Sequence, residues 1–260
     1  MEQIFDSHAH YLDAAFDPDR TAVLDALPQQ GVGAVVEAAV DAATAKQALR
    51  LAARYPYIRA AVGIHPEAAG RTTDDVLHLI HDLAADPLCC AIGEIGLDYH
   101  YPDGCPRDVQ RAWFCRQLAL ANELRLPVIV HDRDAHEDTL AILREYRPRG
   151  VVHCFSGSVE MMRDILDLGM SIGLGGAVTF KNARRPAAVA AAVPADRLLL
   201  ETDAPYMAPE PCRGQRCTSA LIRRTASRIA ELRGVDADEV LRDASRNAAA
   251  LFGFSALPCP

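Results

Sequence analysis

The sequence predicts an α/β protein that folds as a single TIM-type (β/α)8 barrel, and three observations favour this fold class. Eight short apolar runs alternate with amphipathic segments from end to end. The chain has 260 residues, 50% of them hydrophobic, and a barrel of this type has about 250 residues. Several runs end in His, Glu or Asp, and such barrels build active sites at the carboxyl ends of their strands.

The eight predicted strands are short apolar runs. They begin at Ile4, Gly33, Ile58, Cys89, Leu126, Gly150, Met170 and Arg197. Eight alternating strand and helix patterns indicate a parallel sheet closed into a barrel, although the alternation alone also fits a doubly wound open sheet.

Helices are predicted where apolar residues recur at helical spacing between the strands. In residues 107–125, Trp113, Leu118 and Ala121 stand among polar neighbours in this way. Similar segments are 19–31, 74–86 and 136–146, and two further helices are expected in 219–234 and 236–253. Gly31 and Gly169 follow apolar-periodic stretches and indicate helix C-termini.

The chain shows no linker rich in Gly, Ser or Pro and no internal repeat. We therefore expect one barrel domain over residues 1–254 and a frayed tail over residues 255–260.

The eight cysteines include no CxxC pair, and no secretory signal or apolar run of about 18 residues is visible. Reduced thiols in a cytoplasmic protein are the prediction, with Cys212 and Cys217 as the pair that could otherwise bind metal or oxidise.

The charge balance limits the partners. Lys and Arg number 27 against 35 Asp and Glu, for a net charge of −8. This excess of acid argues against a protein that coats nucleic acid through a broad basic face. It leaves open a local site at which metal ions supply the positive charge.

Six side chains at predicted strand ends form a candidate metal site. They are His8, His10, Glu94, His131, His153 and Asp203. His8 and His10 are two residues apart on a strand, so their rings project from the same face. Taken singly, each histidine could be an ordinary polar residue at a strand end or a hydrogen-bonded histidine in the core, and Glu94 could form a salt bridge within the barrel. Together they favour a metal site, because independent strand ends agree.

A set of imidazoles and carboxylates suits zinc, manganese or magnesium, and two-metal sites often share a bridging carboxylate. Such metals polarise a phosphoryl or acyl oxygen and generate hydroxide near neutral pH. Asp203 can accept the proton of the attacking water. Asp6 has the strand parity of His8 and can accept a hydrogen bond from a ligand histidine. Glu201 also faces inward, where a supporting role, a proton relay and a structural ion pair all stay open.

Seven sequence strings resemble the TatD family of metal-dependent deoxyribonucleases in the amidohydrolase superfamily. In chain order they are DSHAHYLDAAFDPDR, AVGIHPE, AIGEIGLDYH, PVIVHDRDA, VVHCFSGS, GGAVTFKNA and LLLETDAPYMAPEPCRG. The resemblance extends from residue 4 to about residue 252. It implies a TIM-barrel hydrolase that cleaves DNA phosphodiesters, often from the 3′ end, and the expected substrate is single-stranded DNA or a 3′ end.

The resemblance also implies the ligands of two divalent ions. His8, His10, Glu94 and Asp203 would hold one ion, and Glu94, His131 and His153 the other, with Glu94 bridging. His65 in GIHPE matches a family histidine near the metals and would contact the scissile phosphate, or else cap the third strand. With Asp203 and Glu94, it completes the expected catalytic residues. A monomer is favoured, although the sequence does not fix the oligomeric state.

Basic and aromatic residues near the strand ends are the candidate substrate contacts. Arg133, Lys181, Arg213 and Arg216 lie on matched loops and would bind phosphates, with surface salt bridges as the alternative. Tyr99, Tyr101 and Phe155 would stack on bases or pack at the rim.

The chain departs from the family pattern at two loops. Glu67 stands where the family commonly has a second histidine, and Gln215-Arg216-Cys217-Thr218-Ser219 replaces a basic residue followed by RN-x-P. These departures keep two alternatives open. One is a metal-dependent esterase, lactonase or amidase of the same superfamily, and the other is a non-catalytic scaffold.

Overall fold

The structure, a computed structural model, describes residues 2–254, so the predicted tail at 255–260 lies outside the described residues. Eight strands form one sheet. They are β1 (Ile4–Ala9), β2 (Val32–Ala38), β3 (Ile58–Val62), β4 (Cys89–Asp98), β5 (Val128–Arg133), β6 (Gly150–Val152), β7 (Ser171–Leu174) and β8 (Leu198–Leu200).

The strands are ordered β1 to β8, and every neighbouring pair is parallel. An additional parallel bridge joins Ala9 to Ala204, so the last strand returns to the first. The predicted (β/α)8 barrel is therefore confirmed. All eight carboxyl ends meet at one mouth of the barrel.

Ten α-helices lie within residues 2–254. They are α1 (Arg20–Ala26), α2 (Ala42–Arg54), α3 (Pro66–Ala69), α4 (Asp74–Ala84), α5 (Arg107–Leu124), α6 (His136–Tyr146), α7 (Val159–Asp167), α8 (Arg184–Ala192), α9 (Ile222–Arg233) and α10 (Ala237–Phe252). No helix in the described part of the chain has the length and apolar character needed to cross a membrane.

The predicted starts of β2, β7 and β8 differ from the structure by one residue, and two other boundaries differ for a local reason. The predicted helix in 19–31 stops at Ala26, because Pro28 has no N–H to continue it, and a 3-10 turn at Pro28–Gln30 follows. The predicted start of β5 at Leu126 is wrong by two residues, since the Leu126 N–H still bonds to the Ala121 carbonyl of α5. Gly31 and Gly169 both have φ of 84°, as expected after a helix.

The core lies inside the barrel and between the barrel and its helices. Strand residues such as Ile4, Ile58, Ile92 and Val130 are fully buried. Helix α10 covers the lower end of β1, where the Phe5 and Phe252 rings stack at 6.2 Å. The packed interior holds the strand ends rigidly, which lets side chains from distant parts of the sequence meet at the mouth.

Candidate metal centre

The barrel brings all six predicted metal ligands together at its mouth. His8 lies in β1 with His10 just beyond it, Glu94 in β4 and His131 in β5. His153 directly follows β6, and Asp203 lies three residues after β8. The barrel is the reason for this convergence, since no two of these strand ends are neighbours in sequence.

Glu94 occupies the middle of the group, and its two carboxylate oxygens face different histidine pairs. Oε1 lies 2.8 Å from Nδ1 of His131 and 2.7 Å from Nε2 of His153. Oε2 lies 3.4 Å from Nε2 of both His8 and His10. A carboxylate placed in this way can ligate two ions, one through each oxygen.

Asp203 also lies beside the β1 histidines. Its Oδ1 lies 3.6 Å from Nε2 of His8 and 3.4 Å from Nε2 of His10. Asp203 has a left-handed φ of 57°, and its N–H donates to the His8 carbonyl at 3.0 Å. The backbone bond fixes this carboxylate beside the two imidazoles.

The donor set fits divalent metal ions. Three groups each offer three ligand atoms within 4.8 Å of one another: His8, Glu94 and His153; His8, His10 and Asp203; His65, Glu94 and His131. The Nε2 atoms of His8 and His10 lie only 3.0 Å apart. Converging imidazole nitrogens and carboxylate oxygens are the ligands that zinc and similar ions prefer.

Burial and mutual charge set the protonation of the metal-free centre. Burial opposes ionisation of Glu94, but His153 and His8 outweigh it and hold the pKa of Glu94 well below its usual range. Burial alone would lower the pKa of His131, but hydrogen bonds with Asp98 and Glu94 raise that pKa to about 10. The pKa of His10 is likewise raised by Asp203 and Glu94 against the effect of burial. The rings of His131 and His10 therefore carry protons on nitrogen atoms that would have to be deprotonated before they could bind a metal.

His8 behaves in the opposite way. Burial, helped by the charge of His153, lowers the pKa of His8 to about 4, so its ring is neutral at pH 7. The His8 ring stacks on that of His153 with centroids 3.9 Å apart. A neutral imidazole fixed by a stacked neighbour keeps a lone pair available for a ligand.

His65 lies at the edge of this group. Its Nε2 is 3.7 Å from Oε1 of Glu94, while its Nδ1 accepts the N–H of Glu67 at 3.3 Å. Burial lowers the pKa of His65 to about 3, so the ring is neutral. Because Nδ1 is the acceptor, Nε2 carries the proton and can donate it toward a ligand in the cavity.

The predicted hydrogen bond to Asp6 from a ligand histidine comes from the backbone of His8 and not from the imidazole ring. Asp6 accepts the backbone N–H of His8 at 3.3 Å and that of Thr202 at 3.0 Å. The hydroxyls of Thr202 and Ser219 also donate to it, at 2.6 and 2.7 Å. Asp6 thus joins β1 to the segment after β8 through the backbone N–H groups of His8 and of Thr202, the neighbour of Asp203.

Sequence reasoning missed Asp98, whose Oδ2 lies 3.1 Å from Nε2 of His131. The available signal was parity, because Asp98 is four residues after Glu94 in β4. A second missed feature is Gly96, with φ of 144°. A side chain at this glycine would collide with the backbone of His131, so the glycine permits β4 and the ligand strand β5 to approach closely.

The cavity above the ligands has a volume of about 830 Å³. Arg133 and Tyr101 line one side of it, and the Arg133 guanidinium lies 5.3 Å from the Tyr101 ring centroid. Tyr101 is 50% exposed. Of the predicted stacking residues, Phe155 is buried, and Tyr99 donates its hydroxyl to Asp138 at 2.6 Å.

The other three predicted phosphate contacts lie outside the lining of this cavity. Arg216 forms two 2.7 Å bonds to the carboxylate of Asp19. Arg213 lies over the Phe180 ring at 4.2 Å, and Lys181 is exposed. Among the four, Arg133 is the cation that the structure places beside the metal ligands.

The two departures from the family pattern have different surroundings. Glu67 is exposed and lines the cavity. Cys217 is buried, and Ser219 belongs to the hydrogen-bonded group around Asp6. The seven cysteines within residues 2–254 are free thiols, including Cys212 and Cys217.

Comparisons with known proteins match almost the full length of the chain. Residues 5–253 match the family model described as TatD related DNase. The "uncharacterized metal-dependent hydrolase YabD" of Bacillus subtilis is 39% identical, over 96% of this chain and 98% of that protein. The "3′-5′ ssDNA/RNA exonuclease TatD" of Dickeya dadantii is 36% identical, over 96% of this chain and 97% of that protein.

A solved structure agrees with these sequence matches. The crystal structure of YJJV, a TatD homologue from Escherichia coli K12, superposes with a TM-score of 0.90 and 33% identity. It covers 96% of this chain and 98% of its own. Sequence and fold therefore lead to the same set of relatives.

Proposed function

Because the chain belongs to the TatD family of metal-dependent hydrolases, which act on ester bonds, we propose that it removes nucleotides from the 3′ ends of single-stranded DNA with two divalent ions. The observation that carries the proposal is the position of Glu94, with one oxygen toward each histidine pair. A phosphodiester is a bond that paired-metal centres hydrolyse, because two ions can stabilise both the attacking and the leaving oxygen.

In this proposal Glu94 would contribute to both ion sites. His8, His10 and Asp203 would hold one ion together with Glu94, and His131 and His153 would hold the other together with Glu94. Mg²⁺, Mn²⁺ and Zn²⁺ are the candidate ions. Bound ions would neutralise charge on the phosphoryl group and lower the pKa of water near it.

The residues of the chain then supply proton transfer and orientation. Asp203 accepts the proton of the attacking water, since its carboxylate is ionised and faces the cavity. Burial opposes that ionisation, but His10 and the other histidines hold the pKa of Asp203 below its usual value. His65 donates its Nε2–H to a phosphoryl oxygen and so stabilises the charge that develops there.

Arg133 and Tyr101 form the proposed substrate-binding side of the cavity. Arg133 binds a backbone phosphate, and the exposed face of Tyr101 stacks on an unpaired base. Within a duplex the base faces are covered by stacking on their neighbours, so this arrangement favours single strands. Lys181, Arg213 and Arg216 are proposed as contacts for more distant phosphates. The similar Dickeya protein is a 3′-5′ exonuclease of single-stranded DNA and RNA by name, which supports the same substrate class.

A second candidate function is hydrolysis of a carboxylic ester, lactone or amide. The exposed carboxylate of Glu67 at the cavity wall favours it, because a negative charge there repels a polyanionic strand. The same metal centre would polarise an acyl oxygen instead of a phosphoryl oxygen.

A substrate panel distinguishes the two functions. Purified protein loaded with Mg²⁺, Mn²⁺ or Zn²⁺ would be assayed on single-stranded oligonucleotides, on duplexes and on carboxylic esters and lactones. We expect the highest kcat/KM on single-stranded DNA and no turnover after chelation. Higher kcat/KM on the carboxylic esters would replace the proposal with the second candidate.

A further inference from the structure

We propose that Glu201 is a positioning residue that sets the ring orientation and the tautomer of His153. The inference rests on the proposed role of His153 as a metal ligand. Glu201 is fully buried and directly follows β8, behind the centre described above. It does not reach the cavity, and its effect on the reaction is exerted through His153.

The two ring nitrogens of His153 face different carboxylates. Nε2 lies 2.7 Å from Oε1 of Glu94, on the side of the metal centre. Nδ1 lies 3.8 Å from Oε1 of Glu201, on the opposite side. The N–H of Cys154 also donates to Oε1 of Glu201, which holds the carboxylate beside the ring.

Two buried atoms at this contact lack partners within residues 2–254. They are Nδ1 of His153 and Oε2 of Glu201. Leaving a buried N–H without an acceptor costs about 1–3 kcal/mol, so the ring gains by donating Nδ1–H to the neighbouring carboxylate. A movement of roughly 1 Å brings the pair to the usual hydrogen-bond length of about 2.9 Å.

Gly173 in β7 provides the space for this carboxylate. A Cβ at residue 173 would collide with the carboxylate of Glu201 and lie 3.1 Å from Cα of His153. Any larger residue would therefore displace Glu201 from the ring. The absence of a side chain on β7 is what lets the β8 carboxylate lie behind the β6 ligand.

The consequence for the metal centre is a fixed tautomer. With Nδ1–H donating to Glu201, Nε2 is the ring nitrogen that would offer its lone pair to a metal ion beside Glu94. Hydrogen bonding of the outer nitrogen to a carboxylate orients a ligand histidine and raises its basicity. The stacking of His153 on His8 restricts the plane of the ring, and Glu201 then determines which nitrogen faces inward.

Two substitutions of Glu201 distinguish a role as hydrogen-bond acceptor for His153 from a role in which the side chain only occupies volume in the core. The Cys154 N–H and Nδ1 of His153 both lie nearest Oε1 of Glu201, so Glu201→Gln can keep an acceptor there, whereas Glu201→Leu removes it. Titration of Mn²⁺ into metal-free protein should give an affinity lowered about 10–100-fold by Glu201→Leu and close to the parent for Glu201→Gln. Equal losses in both variants, or no loss in Glu201→Leu, would overturn the proposal.

Nitrogen-15 NMR of the histidine rings in the metal-free protein measures the chemical shift of Nδ1 of His153. This shift depends on the hydrogen bond to Glu201 and distinguishes that bond from a role in which Glu201 only fills space in the core. Glu201→Leu should shift the Nδ1 resonance of His153. Glu37→Gln is the matched control, because Glu37 is a buried carboxylate that accepts the backbone N–H groups of Tyr11 and Leu12. An unchanged His153 resonance in Glu201→Leu contradicts the inference.

Gly173→Ala tests the same contact while retaining the carboxylate, and serves if Glu201→Leu does not fold. It should weaken Mn²⁺ binding in the parent protein, and an unchanged affinity there counts against the proposal. These measurements need no DNA, so they are independent of the proposed substrate. Protein that cleaves no DNA but shows these effects overturns the proposed function alone.

Discussion

Oε1 of Glu94 lies 2.7 Å from Nε2 of His153, and this contact joins β4 to the residue that follows β6. The second oxygen of the same carboxylate faces Nε2 of His8 and His10 from β1. One side chain therefore connects the two halves of the ligand group. Its removal should affect both halves at once.

Glu94→Gln should abolish paired metal binding. The amide keeps the shape of the side chain but loses the charge and one acceptor oxygen that the bridge needs. Turnover should fall by about 1,000-fold or more, because metal stabilisation of developing charge contributes several kcal/mol. Elemental analysis of the purified variant checks the metal content. Two bound ions and parental turnover in this variant would refute the bridging role.

Metal binding should release protons at neutral pH. The carboxylates raise the pKa of His131 to about 10, so the metal-free ring is protonated at pH 7 and must lose a proton to ligate. Affinity should therefore rise with pH. The ion pairs of His131 stabilise the metal-free fold fully below pH 6.5, and this contribution is lost as the pH rises toward 10.

Calorimetric metal titrations in buffers of different ionisation enthalpy measure the number of protons released. A heat that does not depend on the buffer would show that no proton leaves, and would contradict the assigned protonation of His131 and His10.

Tyr101→Ala should weaken binding of single-stranded DNA by about 1–3 kcal/mol, the contribution of one base stacked on an aromatic ring. Tyr101→Phe keeps the ring and should bind nearly as well as the parent protein. Fluorescence anisotropy with a labelled oligonucleotide on chelator-treated protein measures both affinities. Equal affinities for the Ala and Phe variants would rule out stacking.

Arg133→Gln should raise KM for single-stranded DNA more than Arg216→Gln does. Arg133 lines the cavity, whereas the guanidinium of Arg216 is paired with Asp19. The salt dependence of binding should also become shallower for Arg133→Gln, because one phosphate contact is lost. A larger effect from Arg216→Gln would move the proposed strand path to the opposite side of the mouth.

Asp6→Ala should lower the free energy of unfolding by at least about 2 kcal/mol, since it leaves buried N–H and hydroxyl donors of His8, Thr202 and Ser219 unpaired. Urea denaturation of metal-free protein measures the loss. In metal-free protein a loss of stability cannot come from weaker metal binding. An unfolding midpoint equal to that of the parent protein would show that Asp6 does not connect β1 to the segment after β8.

The fold and the ligand positions could be predicted from the sequence because they depend on local patterns. Each apolar run predicts a strand, and the polar residue at its end predicts a position at the barrel mouth. His8, Glu94 and His153 were found in this way, although they come from different parts of the chain.

The hydrogen-bond and ion-pair partners of individual side chains could not be predicted, since they depend on distances between strands and loops that are far apart in sequence. Strand parity placed Asp6 near His8 but could not distinguish the histidine ring from the backbone as its donor. The sequence likewise treated Arg133 and Arg216 alike, because the pairing of Arg216 with Asp19 appears only after the loops fold together.

The most direct test of the central claim follows a 5′-labelled single-stranded oligonucleotide during incubation with Mg²⁺, Mn²⁺ or Zn²⁺. The account predicts a ladder of products shortened one nucleotide at a time from the 3′ end, absent with chelator and with Glu94→Gln. An oligonucleotide that stays intact with protein shown to carry two ions would contradict it.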